Sequence, residues 1–582
     1  MSNALDIRIF RSPRSDYYGD EVIGAAAVYT DEELAAIAAE GFNGIWLRAI
    51  LRDLTPTDLF RGYGSDCDAR MAALIQLIGR AAAHGIGVWL YLNEPMALPA
   101  DSAFWQEHPD CRGMRGSSGM DGWPATYAMC SSAPRVRQFL HEATYDLFTR
   151  AQGLAGLFLI TAAEHHTHCY SHVTTRGWGT EYEPKVPQEC PRCAPLSPAE
   201  VICDIAAQIT DGATAAAPSA RVMVWSWRWS MFYDDPHEPI ISQLPTNILL
   251  MSNFEDGQPI SRGGRELVCR EYSLGIEGPS PLFVDQARLA QQRGIDTVAK
   301  LQIGTTHELA TVPNLPAIPS LYRKFRAMRD NGLTGYLGTW NFGCSRTLNT
   351  WAVGKLSRNN TLPTEEQFLR ETCAEYFGSD ADAGKVVQAW QGFTEALQHH
   401  PMNLAFLYFS PLNYTLAYPW PQERGRAKMA RSWTNEPWGD DLGQCLPPYS
   451  LDEVIQLLGA ANRAWSNACA SYHHGLAACQ GAKERVQAEL ASAHYTGLCF
   501  TSAHNLFRWY RGVLAGQPDL DLIDAELACC ARALPLLERW PQLGFHQECQ
   551  HRQCSPALVQ AKMRQLEQRK MPTMGMTAHD PR

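Results

Sequence analysis

Eight short apolar runs, each followed by a stretch of helical periodicity, occupy the first 355 residues of the chain. They are 6–10, 44–48, 88–92, 156–161, 222–226, 248–252, 298–303 and 335–340. Strand-like runs that alternate with helices in this way signal parallel βα units. Eight of them over this length predict an α/β fold, a (β/α)8 TIM barrel with long loops, in preference to an open doubly wound sheet. No glycine-rich phosphate turn follows the first run, which argues against dinucleotide binding. Helical periodicity runs through 71–83, 136–150, 201–216, 283–293 and 321–329, with Gly85, Gly294 and Gly332 as closing residues. Thr30 with Glu33, and Ser197-Pro198 with Glu200, read as capping boxes.

Beyond residue 360 strand signals vanish and apolar spacing becomes helical, so an all-helical C-terminal domain is expected over 356–570. Its helices are read at 386–397, 454–472, 482–514, 522–540 and 557–569, with starts at Thr364 with Gln367 and Ser450 with Glu453. An aromatic-rich segment, 408–438, carries Tyr414, Tyr418, Trp420, Trp433 and Trp438. Interdomain packing is the favoured reading, and a platform leaning over the barrel mouth is the alternative. Residues 571–582 read as a disordered tail. A length of 582 residues with 45% hydrophobic content suffices for a large core and a further domain. A net charge of −11 without a basic block argues against nucleic acid or an anionic membrane as partner. No apolar run reaches about 18 residues, so no membrane span is expected. Residues 1–6 lack the basic start of a signal peptide, and eighteen cysteines suit a reducing compartment, so a cytoplasmic location is expected. A homo-oligomer is left open.

In a TIM barrel the chemistry sits at the C-terminal ends of the strands. Those ends carry Arg48, Asn93-Glu94, Glu164-His165, Trp227-Arg228-Trp229, Asn253 with Glu255, His307-Glu308 and Trp340-Asn341. Carboxylates for acid–base work, indoles for ring faces, and Arg and Asn for hydroxyls together suit a small carbohydrate. Glu164 and Glu308 stand out, at the ends of the fourth and seventh runs.

Here the chain resembles the retaining (β/α)8 glycoside hydrolases whose acid/base lies on strand four and whose nucleophile lies on strand seven. The resemblance implies Glu164 as general acid/base and Glu308 as nucleophile or stabilising carboxylate, about 5–5.5 Å apart as retaining hydrolysis requires. The remaining strand-end residues then bind substrate, and His307 or Arg48 helps to hold Glu308 as an anion. The whole is also similar to hexosaminidase-like barrels of glycoside hydrolase families 20 and 163. Two departures are visible: Asn93-Glu94-Pro95 follows the third run instead of the fourth, and Ala163 stands where family 20 has an aspartate beside its acid. The implied activity is an exo-acting glycosidase on oligosaccharides or glycosides, with no cofactor required for catalysis. A zinc-dependent hydrolase on the same barrel and a non-catalytic carbohydrate-binding barrel are the alternatives.

The fourth run leads into His165, His166, His168, Cys169 and His172, then Cys190-Pro191-Arg192-Cys193, in a loop spanning 165–195. These residue types and spacings suit a structural zinc with Cys169, His172, Cys190 and Cys193 as expected ligands. Reduced buried thiols are the competing reading. A redox role is disfavoured by the lack of a thioredoxin-like context.

Overall fold

The computed structural model describes residues 5–117, 124–171, 189–421 and 442–570. Eight parallel strands close into a barrel in chain order: β1 (Ile7–Phe10), β2 (Gly44–Ala49), β3 (Gly87–Leu92), β4 (Gly156–Ile160), β5 (Arg221–Trp225), β6 (Leu249–Asn253), β7 (Asp296–Lys300) and β8 (Gly335–Leu337). β8 pairs back onto β1 through Ile7 opposite Gly335. The strands obey the period of two that a pleated backbone imposes. In β4, Phe158 and Ile160 join the cluster that fills the barrel, while Leu157 and Leu159 face the helices outside.

The barrel filling is unusually aromatic, with Trp46, Trp89, Tyr91, Phe158 and Trp225 all buried. Each such side chain contributes ~1.5–3 kcal/mol when fully buried. Indoles of this size need glycine opposite them. A Cβ on Gly156 would lie 2.5 Å from the Trp89 ring and 2.3 Å from the Arg221 carbonyl oxygen, so β4 begins without a side chain.

Ser197 and Glu200 complete a reciprocal cap at the start of helix Pro198–Ala216, and Ser450 with Glu453 does the same for Leu451–Leu476. At Thr30 only half of the expected box forms. Its hydroxyl accepts from the Glu33 N–H, but the Glu33 carboxylate turns inward to accept from Ser12 Oγ at 3.1 Å.

Helix Leu348–Arg358 crosses the expected boundary at 355, and the helices Glu365–Phe377, Ala383–Leu397, Leu451–Leu476, Lys483–Leu514, Asp521–Arg539 and Pro556–Lys570 follow. This helical region rests on the loops after β7 and β8. The Ala310 N–H donates to Asn413 Oδ1 at 2.7 Å, the Gly544 N–H to the Thr311 carbonyl at 2.9 Å and the Cys344 N–H to Gln547 Oε1 at 2.9 Å. It therefore sits on the C-terminal mouth of the barrel. Tyr414, Tyr418 and Trp420 are buried, with the Trp420 ring 5.0 Å from that of Trp509, which is packing. Trp433, Trp438 and the tail 571–582 lie outside the described residues. Among the described residues no helix is long and apolar enough to cross a membrane.

Among the described residues, three small antiparallel pieces have no counterpart in the sequence reading. Leu98–Pro99, Ala125–Met129 and Arg112–Ser117 form a sheet after β3, Pro259–Arg262 pairs with Arg265–Val268 after β6, and Phe545–His546 pairs with His551–Arg552 among the helices. Two of the three bring residues to the barrel mouth.

Candidate active site

The floor of the mouth is aromatic. The Trp340 ring stacks on Trp46 at 5.0 Å and meets Tyr91 and Trp225 edge-on at 5.1 and 5.3 Å. Tyr17, Trp227 and Tyr272 belong to the same cluster.

Glu164 follows β4 after Thr161, Ala162 and Ala163, at a backbone φ of 68°. A left-handed glutamate costs of order 1–3 kcal/mol and persists only where its surroundings hold it. Here the Asn93 side chain donates to the Ile160 carbonyl at 3.2 Å, and the His165 N–H donates to the Ala163 carbonyl at 2.9 Å. The turn aims the carboxyl group at β5, where Trp227 Nε1 donates to Glu164 Oε1 at 2.8 Å. Burial raises the Glu164 pKa, against the pull of the Trp227 hydrogen bond and the nearby Arg228 and Arg48 guanidinium groups. A carboxyl group held this way retains its proton longer than an exposed one.

Two further carboxyl groups share this space. Glu271 follows the hairpin after β6, and its oxygens accept from the Tyr408 hydroxyl and, at 3.0 Å, from the Tyr272 N–H. Burial pushes it up to about 7, opposed by the Tyr408 hydrogen bond. The Tyr272 ring stacks on Trp227 at 6.1 Å, and Lys300 Nζ lies 4.2 Å from the Tyr272 centroid on its other contact. Glu164, Trp227, Tyr272 and Glu271 thus form one continuous run of contacts.

Glu548 arrives from the C-terminal hairpin, where Oε1 accepts from Asn341 Nδ2 at 3.4 Å and the buried Oε2 has no hydrogen-bond partner among the described residues. Burial, then the negative charge of Glu164, pushes it up to about 8. An unfolded glutamate titrates near 4.3, so the stabilising protonation of Glu548 is fully present below that pH and is lost as pH rises through about 8. In Glu548→Gln, the melting temperature relative to the parent protein should therefore become more favourable between pH 5 and 8 and level off above. A difference that stays constant with pH would show that the carboxyl group is not held protonated.

Among the expected site residues, Arg48, His165, Trp227, Arg228, His307, Trp340 and Asn341 gather with Glu164 around the mouth. Tyr17 Oη is 3.4 Å from His165 Nε2, the Arg48 guanidinium is 5.0 Å from the Tyr17 centroid, and that of Arg228 is 4.8 Å from Trp227. Burial keeps His307 neutral, with its ring 4.9 Å from Tyr408.

Other residues expected at the site are engaged by neighbouring groups. Glu308 is 1% exposed, and its Oε1 accepts from Ser273 Oγ at 2.6 Å and Gly275 N–H at 3.4 Å. Its Oε2 accepts from the Leu274 N–H and Thr306 Oγ1, both at 2.7 Å. A carboxylate saturated in this way anchors the 273–275 loop and has no oxygen free to attack. Glu308→Ala should strand several buried donors at about 1–3 kcal/mol each, lowering the melting temperature clearly while the folded fraction keeps near-normal turnover. An inactive variant with unchanged melting temperature would return Glu308 to the reaction. Glu94 accepts from the Leu51 and Met96 N–H groups at 2.7 and 3.1 Å and Asn93 Nδ2 donates to the Ile160 carbonyl at 3.2 Å, so both fasten loops. Trp229 is fully buried, with Nε1 donating to Thr161 Oγ1 at 3.0 Å. Asn253 Oδ1 is taken by Trp225 Nε1 at 2.9 Å, and Glu255 is buried against Lys324 Nζ at 2.5 Å.

Two groups among the described residues bring metal-ligand atoms within 4.8 Å of one another: Cys130, Cys169, Cys190 and Cys193, and His307, His546 and Glu548. His172 lies outside the described residues. In the second group the Cys549 N–H points to His546 Nδ1 at 3.5 Å.

Glu271, Glu548 and Tyr272 carry no signal in the sequence that marks them for the mouth, whereas Tyr408 opens the aromatic-rich segment whose alternative reading is a platform there. Glu271 stands well past the end of β6, behind a hairpin, and Glu548 is the far end of a helical region. The only local hint was the polar stretch 546–551 breaking the helical pattern.

The sequence matches no protein-family model and no curated protein. The structure is similar to an enzyme of glycoside hydrolase family 138 targeting pectin rhamnogalacturonan II, with TM-score 0.54 and 11% identity, over 97% of this chain and 84% of that one. It is also similar to a family 89 glycoside hydrolase from Clostridium perfringens in complex with PUGNAc, with TM-score 0.52 and 10% identity, over 97% of this chain and 63% of that one. The chain thus spans less than two thirds of the family 89 enzyme. At these identities the likeness is one of fold: a closed eight-stranded barrel with accompanying helices, shared with glycoside hydrolases.

Proposed function

We propose that the chain is a retaining, exo-acting glycoside hydrolase with Glu164 as general acid/base and Glu271 as nucleophile or stabilising carboxylate. The observation that carries this reading is the contact run from Glu164 through Trp227 and Tyr272 to Glu271, which links two differently hydrogen-bonded carboxyl groups across an aromatic floor. Retaining hydrolysis needs one protonated and one ionised carboxyl group about 5–5.5 Å apart, and the reading requires that spacing of Glu164 and Glu271. Glu164, with one indole donor and a desolvated carboxyl group, suits delivery of a proton to the glycosidic oxygen. Burial pushes Glu271 up to about 7, but the Tyr408 phenol and the Tyr272 amide that donate to it favour its ionised form, and with Lys300 nearby that form suits the carboxylate that attacks the anomeric carbon. As the leaving oxygen departs with the Glu164 proton, Glu271 forms a glycosyl ester. Water then gives a proton to Glu164 and its oxygen to the anomeric carbon, freeing Glu271. Trp227 and Trp340 offer ring faces, and Arg48, Arg228 and Asn341 offer donors to hydroxyl groups. Coverage of the mouth by the C-terminal hairpin supports exo action, because a pocket closed on one side takes a chain end.

The test is a panel of nitrophenyl glycosides that includes N-acetylhexosaminides and uronides, run with and without chelator. Turnover insensitive to chelator is expected. Sugar binding without any turnover would support a binding barrel. Loss on chelation, restored by zinc, would move the chemistry to His307, His546 and Glu548.

A further inference from the structure

Three separate segments bring four thiols to one point beneath the loop that carries Glu164. Cys130 ends the antiparallel strand Ala125–Met129 in the connection from β3 to β4, Cys169 follows Glu164 in the next loop, and Cys190 and Cys193 precede helix Pro198–Ala216. All four are buried, and their sulfur atoms lie within 4.8 Å of one another. Cys130 Sγ is 3.5 Å from Cys190 Sγ and 3.6 Å from Cys193 Sγ. Disulfide sulfurs would stand near 2.05 Å, so these are not bonded pairs. A tetrahedron with Zn–S bonds of about 2.3 Å has sulfurs about 3.8 Å apart, close to this spacing.

The surroundings answer to the charge such a site would carry. Arg192, between the two cysteines of the Cys-Pro-Arg-Cys turn, donates through Nε to Cys130 Sγ at 3.3 Å, and Ser132 Oγ lies 3.4 Å from Cys193 Sγ. Hydrogen bonds of this kind to thiolate sulfur orient metal ligands and offset their negative charge. The backbone also makes room, since a Cβ on Gly113 would lie 2.5 Å from Cys169 Sγ.

We propose that Cys130, Cys169, Cys190 and Cys193 bind one structural zinc ion, with Cys130 in the place that sequence spacing assigns to His172. Binding replaces the thiol protons, which pass to solvent, and involves no redox change. Four sulfur ligands leave no open position for substrate, so the site is closed and non-catalytic. Its effect is mechanical. It ties the sheet after β3 to both ends of the 170–189 stretch, and so steadies the turn that holds Glu164 in its left-handed conformation.

The experiment is elemental analysis of full-length protein purified without chelator, followed by titration with a mercurial that displaces thiolate-bound metal while a chromogenic zinc indicator reports release. About one zinc per chain, released as four thiols react, is expected. Cys130→Ser should lose the metal, whereas His172→Ala should keep it. Zinc well below stoichiometry in freshly purified protein, iron in its place, or retention in Cys130→Ser with loss in His172→Ala would each overturn the assignment. If Cys130→Ser does not fold, mercurial release from the unaltered protein still decides, because four freely reactive thiols releasing no zinc exclude the site. None of these outcomes depends on glycosidase activity.

Discussion

Glu164→Gln should lower kcat/KM on glycosides with poor leaving groups by about 10²–10⁴-fold, the usual contribution of a positioned general acid. Substrates with an activated aryl leaving group should lose far less in the first step, because such a group departs without protonation. The amide keeps the acceptor oxygen for the Trp227 indole N–H, so the turn and its φ of 68° survive. The variant therefore tests the proton and not the packing. Equal losses on both substrate classes would remove Glu164 from the acid role and leave it a sugar-hydroxyl acceptor.

The second large effect is expected at Glu271. Glu271→Ala should fall by on the order of 10⁴-fold or more, the scale seen when one member of an interdependent catalytic pair is lost. If the carboxylate attacks directly, azide should enter the space it vacates and restore turnover, giving a glycosyl azide of inverted configuration. If an acetamido group of the substrate attacks instead, azide should fail and a thiazoline analogue should inhibit tightly. Rescue by azide at Glu308→Ala but not at Glu271→Ala would reverse the assignment. So would a complex placing the Glu164 and Glu271 carboxyl groups beyond about 9.5 Å of one another.

Both predictions turn on how far strand ends can be read from local pattern. Glu164 was legible because it directly follows an apolar run, and the chain has no freedom to carry it away from the mouth within four residues of Ile160. Glu308 carries the same kind of signal but is held away from that position. Seven residues separate it from Lys300, long enough for the chain to turn back and bury the carboxylate under Ser273, Leu274 and Thr306. Asn93 and Glu94 show the intermediate case, at a strand end but consumed by neighbouring loops.

The eight strands, the closed barrel, the helical region after it and the position of Glu164 just past β4 are all legible in the sequence. All of these follow from short-range periodicity: alternation of two along a strand, 3.6 along a helix, and a change of residue type where a strand stops. Long-range packing brings Glu271 and Glu548 beside Glu164, holds Glu308 against Ser273, Leu274 and Thr306, and joins Cys130 to Cys169, Cys190 and Cys193. Those groupings join residues dozens to hundreds of positions apart through loops and a two-stranded hairpin. Hydrogen bonds and burial at the meeting point set their places, and nothing in the local spacing of any one segment encodes them.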